Sequence, residues 1–519
     1  MTKFARTIRP LIAFCLTAFL SLSGIGQEVK LAEQAGSMEG KIDAMGRKYT
    51  LIKDNVHFLQ GTVHIYCDEA KVFKLPTGNI AEFYGNVRIK EGAGVTITSN
   101  KGFYNTGTQL MQLRENVVFQ QQNGITVYTD FMDYNKARKV AKYFNGGKLV
   151  DNESVLTSER GYYDEVTGMA SFKSDVDGKS PEWSLKSDTL QYNTRERIIY
   201  FHDKTTLVDA QGNTAEYYAG QYNTVTKQSE LQSGKFETET YVLEGNSINI
   251  DDVNKFYTAK GNVFLRAKSD DLIVTGESAI YDKANGITKI FDNAVMKKAV
   301  QPGDTMYLLA DTLLSIETES DSNEVMLAYH NVRIYKSDMQ AVSDSLAYFR
   351  DDSVIFFYND PVLWTQGTQL TADTINLTMI NNNIDKLNLI DNAFIISKDT
   401  LNNFNQIKGR HITTLFRDNK INNVKVEGNG ESIYYVLEEE NTKLTGLNKV
   451  TCSSMSIRFY QNLIKTIVFY MDSDGTFTPP HEIDVKDTRL SGFEWRDTER
   501  PVFPDVIAKI PHPPLEEME

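Results

Sequence analysis

Cysteine is almost missing from this chain. Only Cys15, Cys67 and Cys452 occur in 519 residues, which excludes a disulfide-stapled fold. Cys15 sits in an N-terminal leader, and the other two lie at opposite ends of a long repeat array. Disulfide distance is out of reach if that array is extended, so two unpaired thiols are expected. Tryptophan is as rare, at 3, whereas 26 Tyr and 27 Phe favour strands over helices. Long Ala/Leu/Glu/Lys runs of helical period are absent. Excess positive charge is absent too: the formal net charge is −14. Without the first 26 residues, 52 basic groups face 69 acidic ones, giving −17. Nucleic acid is thereby excluded as a partner, because its phosphates would be repelled. An anionic lipid headgroup cannot be the main source of attraction either.

Catalytic motifs are also lacking. None of the seven histidines forms a pair at metal-ligand spacing on a helix. His57 and His64 lie on two arms of one hairpin and read as a cross-strand surface pair rather than a metal site. There is no G-x-S-x-G elbow, Walker loop or G-x-G-x-x-G after a strand. Gly92-Ala93-Gly94 is a hairpin tip with no helix after it. Asp472-Ser473-Asp474-Gly475 lacks most calcium ligands. The carboxylates are dispersed around the repeat and do not converge as a glycosidase pair. Neither an enzyme nor a cofactor is expected.

The N-terminus carries an address. Lys3, Arg6 and Arg9 precede an apolar run from Leu11 to Leu22, and Gly24-Ile25-Gly26 offers small residues for cleavage. Residues 1–26 read as a signal peptide. The run is short for a span of about 20 residues, which disfavours a membrane anchor.

A hairpin organises the rest of the chain. Tyr84–Lys90 alternates Val87 and Ile89 with Arg88 and Lys90; after a Gly-rich turn, Val95 and Ile97 alternate with Thr96 and Thr98. Such period-two patterns mark half-buried antiparallel strands. Asn followed by a small or apolar residue recurs at Asn55, Asn86, Asn116, Asn262, Asn293, Asn331 and Asn392. The 337 residues from first to last make eleven steps of about 30.6. Tyr-Asn or Tyr-Asp follows in phase at Tyr104, Tyr134, Tyr163, Tyr192, Tyr222 and Tyr281, and Asp-[Ser/Thr]-[Leu/Ile] at Asp188, Asp311, Asp344 and Asp373. The expectation is an all-β, elongated antiparallel array of about twelve 30-residue hairpin repeats, each marginal alone and stabilised by stacking.

Within the second arm the alternation slips, since Tyr104 is out of phase with Ile97 and Tyr192 with Leu185. A bend near Asn100 or Asp188, carrying one strand between two facing sheets, would account for this. Ser174–Pro181 reads as an inserted polar loop and Gln301–Asp304 as an array boundary. That gives array segments 27–300 and 301–474. Seven of 12 prolines come after position 475, so the sheet should stop there. Residues 475–519 form a tail whose Phe493 and Trp495 either cap the open end of the array or dock a partner.

The successive hairpins share one apolar face. It either fills a dry core, as in a structural or adhesive exported protein, or lines a groove for acyl chains, each buried methylene contributing about 0.8 kcal/mol. A parallel β-helix carbohydrate enzyme would need shorter coils and converging carboxylates.

The repeated pattern Asn-Val-x-apolar, Gly-rich turn, apolar-x-apolar, Tyr-(Asn/Asp), behind a signal peptide, resembles the OstA-like (LptA-like, organic solvent tolerance) proteins. The likeness is clearest at 84–135 and 262–293, extends over about 42–430, and is absent from the tail. It implies a β-jellyroll or β-taco fold in the periplasm, with association to the outer membrane left open. It further implies a non-enzymatic bridge carrying lipopolysaccharide, with acyl chains in the groove and export components at the inner and outer membranes as partners. The positions it turns toward lipid are Val87, Ile89, Val95, Ile97, Val117, Phe119, Ile125 and Val127, then Val263, Leu265, Leu272 and Val274. This chain has many more repeats than the short bridge proteins and leaves no room for a C-terminal barrel.

Overall fold

The computed structural model describes residues 30–507 apart from 33–34, 76–77, 92–94, 122–125, 136, 152–153, 165, 180, 182, 194, 224, 240, 252, 269–271, 302, 318–323, 381–382, 418–419, 439–442 and 461–462. The expected signal peptide therefore lies outside the described residues. Among those described, the chain is built of antiparallel strands, and no helix is long and apolar enough to cross a membrane. It divides into two compact units, Met1–Glu239 with Ser247–Asn254, and Thr240–Asn246 with Lys255–Glu519.

In both units the strand is bent, and the bend explains the repeat. Tyr84 faces Lys101 and Val87 faces Ser99, so Gly85 and Asn86 stand opposite Asn100 alone. Such a two-against-one bulge sharpens the local twist and redirects the strand. Gly85 and Asn86 have φ of 71° and 45°; Glu115–Asn116, Asp292–Asn293, His330–Asn331 and Asp391–Asn392 are likewise left-handed pairs. An L-residue in this conformation costs roughly 1–2 kcal/mol, and Asn, with its short polar side chain, is among the few to visit it routinely. Hence Asn recurs, and the Val or Ala after it starts the second half-strand facing inward.

The corner also joins two of the sequence markers. Asn86 Nδ2 donates to Asp68 Oδ2 at 2.9 Å, Asn331 Nδ2 to Asp311 Oδ2 at 2.9 Å, and Asn392 Nδ2 to Asp373 Oδ2 at 3.0 Å. At Asn331 and Asn392 the Asn marker and the Asp-Thr marker are thus two ends of one cross-strand bond. The third marker closes the opposite end of the hairpin. Asn105 Oδ1 accepts from Gly107 N and Thr108 N, Asn193 Oδ1 from Arg195 N and Glu196 N, and Asn223 Oδ1 from Val225 N and Thr226 N. These are Asx-turns.

The phase slip is the same corner seen from the second arm. Ser99 and Tyr104 are both buried, as are Leu185 and Tyr192, because the strand bends between them. Asp188 stands at such a bend. Trp183–Ser187 pairs with Thr205–Asp209, and Leu190–Asn193 pairs with Ile198–Phe201, so one strand pairs with two different strands on either side of its bend. The residue before the corner position is small: Cys67, Ser99, Thr129, Ser158, Ser187, Ala310, Ser343 and Ala372, followed by Asn100 in one case and by Asp or Glu in the others. Cys67 and Cys452, both buried and unpaired, occupy equivalent inner-corner sites. Their size is what the corner requires.

Two sequence expectations are revised. Ser174–Lys179 is no loop, since the strand Met169–Lys179 runs through it. Ser174 and Asp175 are a left-handed corner pair and Val176 is buried; the polar pair merely lacks the usual Asn. Gln301 pairs with Asp304 at a tight hairpin tip inside the second unit, joining Ile287–Gln301 to Asp304–Ile316. The extra length of that repeat is divided between the longer arms of this hairpin and the segment between Ile316 and Val325.

The tail leaves the sheet after Asp474–Thr478 and folds back across the second unit. Phe493 and Trp495 pack on Phe404 with ring centroids 5.3 Å apart in each case, and Val506 is buried beside Val295, Tyr307 and Leu309. It lies along the sheet surface, spanning residues of many strands.

Candidate functional site

The candidate site in each unit is the face on which inward residues align across strands. In the first unit the register places Phe58, Ile65, Ile89, Ile97, Phe119 and Val127 in one row. It continues through Leu149, Leu156, Leu185 and Leu207 to Phe236. In the second unit the matching row begins Leu265, Val274, Met296, Leu308, Ile334 and proceeds to Leu363, Leu370, Ile395 and Ile407. Neither row contains a charged side chain. Each fully buried Val, Leu, Ile or Phe here contributes about 1.5–3 kcal/mol.

Burial within these faces is graded. Next to the corner, Val87, Val117, Val263 and Val332 are each 1% exposed; two residues farther, Ile89 and Phe119 are 5% exposed. In the same rows, Ile97 opposite Ile89 and Leu265 opposite Val274 pack on the cores while remaining partly exposed, as do Leu272, Met306 and Ile464 nearer the tips. Met111, Met132, Met326 and Tyr348 do so toward the Asx-turn end. The interior is sealed along the crease and partly accessible at these positions, whereas Val63, Met339, Leu363 and Leu370 are buried close to their hairpin tips. Several of the accessible residues are methionines, whose unbranched thioethers adapt to irregular apolar partners.

Of the residues anticipated to face lipid, Val87, Ile89, Val117, Phe119, Val127, Val263 and Val274 are buried in the interior, and Ile97, Leu265 and Leu272 lie at its accessible margin. Val95 is in a strand, with Glu91 opposite in register; Ile125 lies outside the described residues. The methionines at the margin were not anticipated. Their signal was present as apolar alternation next to the turn markers.

Titratable groups at the interior are kept neutral. Burial pushes the Cys67 thiol up to about 12 and raises the Tyr143 phenol, which shares a hydrogen bond with Ser158 Oγ at 2.5 Å. His57 Nε2 and His64 Nδ1 meet at 2.9 Å, and both rings stack with Tyr66. They lie on the opposite face from Val56, Phe58, Val63 and Ile65. Among the described residues no three His, Cys, Asp or Glu side chains are grouped to hold a metal ion. Asp472 belongs to a left-handed corner pair with Met471.

Comparison with known proteins gives one family. Residues 32–188 match the family described as OstA-like protein. No curated protein matches the chain. Among solved structures the chain is similar to LptH from Pseudomonas aeruginosa, described as the LptA-homologous periplasmic component of the conserved lipopolysaccharide transport device. Identity is 11%, the match covers 23% of this chain and 82% of that one, and the TM-score is 0.20.

Proposed function

Over residues 32–188 the chain is OstA-like, and from that premise we propose that it is a periplasmic lipid-binding bridge carrying lipopolysaccharide toward the outer membrane. The graded interior is the observation that carries this reading. Apolar rows sealed at the corner and partly accessible at Ile97, Leu265, Leu272 and Met306 suit acyl chains, which need contact area and no charged partner. The acidic balance of the chain agrees, since cargo is then held by its tails rather than its phosphates. No step of this function requires catalysis. The cargo-facing residues are Val87, Ile89, Val95, Ile97, Val117, Phe119, Ile125, Val127, Val263, Leu265, Leu272 and Val274. The partners are export components at the two membranes, reached after cleavage of the leader.

The test is a carboxylate placed at the margin, where the fold tolerates it. Ile97→Asp and Leu265→Asp are expected to leave circular dichroism and expression unchanged while surface lipopolysaccharide falls and the cells become sensitive to detergents. Folded variants supporting normal growth and normal surface lipopolysaccharide would sink the proposal and favour a structural repeat protein with a dry core.

A further inference from the structure

The second unit has an outer face unlike that of the first. Across its strands the register aligns Tyr307, Tyr335, Gln340, Trp364, Gln369 and Ile396, and Gln406 and Ile433 extend the row. Their neighbours in sequence, Leu308, Ile334, Ala341, Leu363, Leu370 and Ile395, belong to the interior, so alternation turns this row outward. On a sheet face pointing away from the core, polar residues are the expectation. In the first unit that expectation holds: the row reads His64, Lys90, Thr96, Gln120 and Thr126.

The three glutamines of the row are buried, with Gln340 at 3%, Gln369 at 1% and Gln406 at 0% exposure. Each stands four residues before the corner position of its strand, at Asp344, Asp373 and Arg410. Two of them hold the tail by its backbone in the same way. Gln406 Nε2 donates to Thr488 O at 2.8 Å, and Leu490 N donates to Gln406 Oε1 at 2.8 Å. Gln369 Nε2 donates to Glu494 O at 2.8 Å, and Arg496 N donates to Gln369 Oε1 at 2.7 Å. In both, one amide spans residues i and i+2 of the tail. Gln340 Oε1 accepts from Arg500 Nε at 2.7 Å. Between these polar clamps the tail sets Leu490, Phe493 and Trp495 on Phe394, Phe404 and Ile433, then Phe503 beside Tyr307 and Tyr335.

We propose that this row is a peptide-binding site and that residues 483–506 are its resident, exchangeable ligand. The strands complete their own ladders beneath the tail, and among the described residues from Pro480 to Ile507 the tail contributes no strand to them. Amide clamps of this kind recognise an extended backbone in any peptide, and the apolar pockets select the side chains. A buried glutamine left without partners is costly, so the site is always filled, by this segment or by one of the same pattern from a partner. The partner chemistry is a peptide carrying aliphatic and aromatic anchors spaced like Leu490, Phe493 and Trp495, followed by a cation at the place of Arg496, which pairs with Asp360 at 2.8 Å.

The experiment uses the full chain with a protease site inserted at the exposed His481–Glu482 pair. After cleavage, the tail is expected to stay bound, and a fluorescent synthetic peptide of residues 483–506 should replace it saturably. Gln369→Ala and Gln406→Ala should each speed that exchange at least tenfold, while the far-ultraviolet spectrum of the strands is unchanged. A cleaved tail that excess peptide never displaces from folded protein would overturn the proposal, as would unfolding of the strands when it leaves. Exchange rates indifferent to both glutamine substitutions would overturn the assignment of the clamps.

Discussion

The corner can be tested by separating its two components at Asn86. Its φ of 45° would place an alanine in the left-handed region at a cost of roughly 1–2 kcal/mol. Substitution also deletes the bond to Asp68, which is solvent-exposed and so contributes only about 0.5 kcal/mol. Asn86→Ala should therefore lose about 1.5–2.5 kcal/mol. Asn86→Gly keeps the backbone conformation accessible, loses the bond and adds chain entropy to the unfolded state, for a total near 1 kcal/mol. Asp68→Ala loses about 0.5 kcal/mol. Urea unfolding followed by fluorescence and circular dichroism measures all three, with the midpoint and slope compared against the unsubstituted chain. The order Ala, Gly, Asp68→Ala supports backbone conformation as the reason Asn repeats. Equal losses for Asn86→Ala and Asp68→Ala would refute it, because the side-chain bond alone would then explain the repeat.

Other expectations rest on single contacts. The Tyr143 ring lies against both Gly147 and Gly161, where an added Cβ would overlap it. Gly161→Ala should cost at least about 2 kcal/mol, and pairing it with Tyr143→Ala should cost less than the two changes summed, as a double-mutant cycle in urea would read. Cys67 moves from 9 to about 12 on folding. A raised thiol value favours the neutral form in the folded state, so its contribution is complete below pH 9 and lost as pH rises toward 12. Cys67→Ala should flatten the alkaline decline in unfolding midpoint, and native Cys67 should resist thiol reagents at pH 8 until urea is added. Asp251 is held down at about 2, first by the Asn254 N–H and then by Gln228 and Asn254 side chains. That turn should weaken as pH falls from about 4 toward 2, whereas Asp251→Asn should remove the dependence, read by amide exchange of residues 253–256.

The repeat and its strands were legible because the corner needs a residue type, the left-handed Asn, and the hairpin end needs another, the Asx-turn acceptor. Both stand at fixed spacing. The bend was legible as a change of parity between Ile97 and Tyr104. Ser174-Asp175 escaped because a corner without Asn resembles any polar loop. The accessible margin could not be read from sequence, since Ile89 and Ile97 have the same alternation and stand opposite each other in register, yet Ile89 is buried and Ile97 is partly exposed. The outer row was visible in principle as Gln340, Gln369 and Gln406 at one repeat position. Its meaning depends on the tail, whose approach involves contacts more than a hundred residues apart, such as Gln369 with Arg496.

The central claim is that the interior holds lipid, and site-specific photo-crosslinking in living cells tests it most directly. One probe replaces Ile97, inward and partly exposed, and a second replaces Arg88, outward and exposed. A lipopolysaccharide adduct at position 97 and none at position 88 is the expected result. Crosslinks at 97 only to protein, with no lipid adduct, would contradict the account.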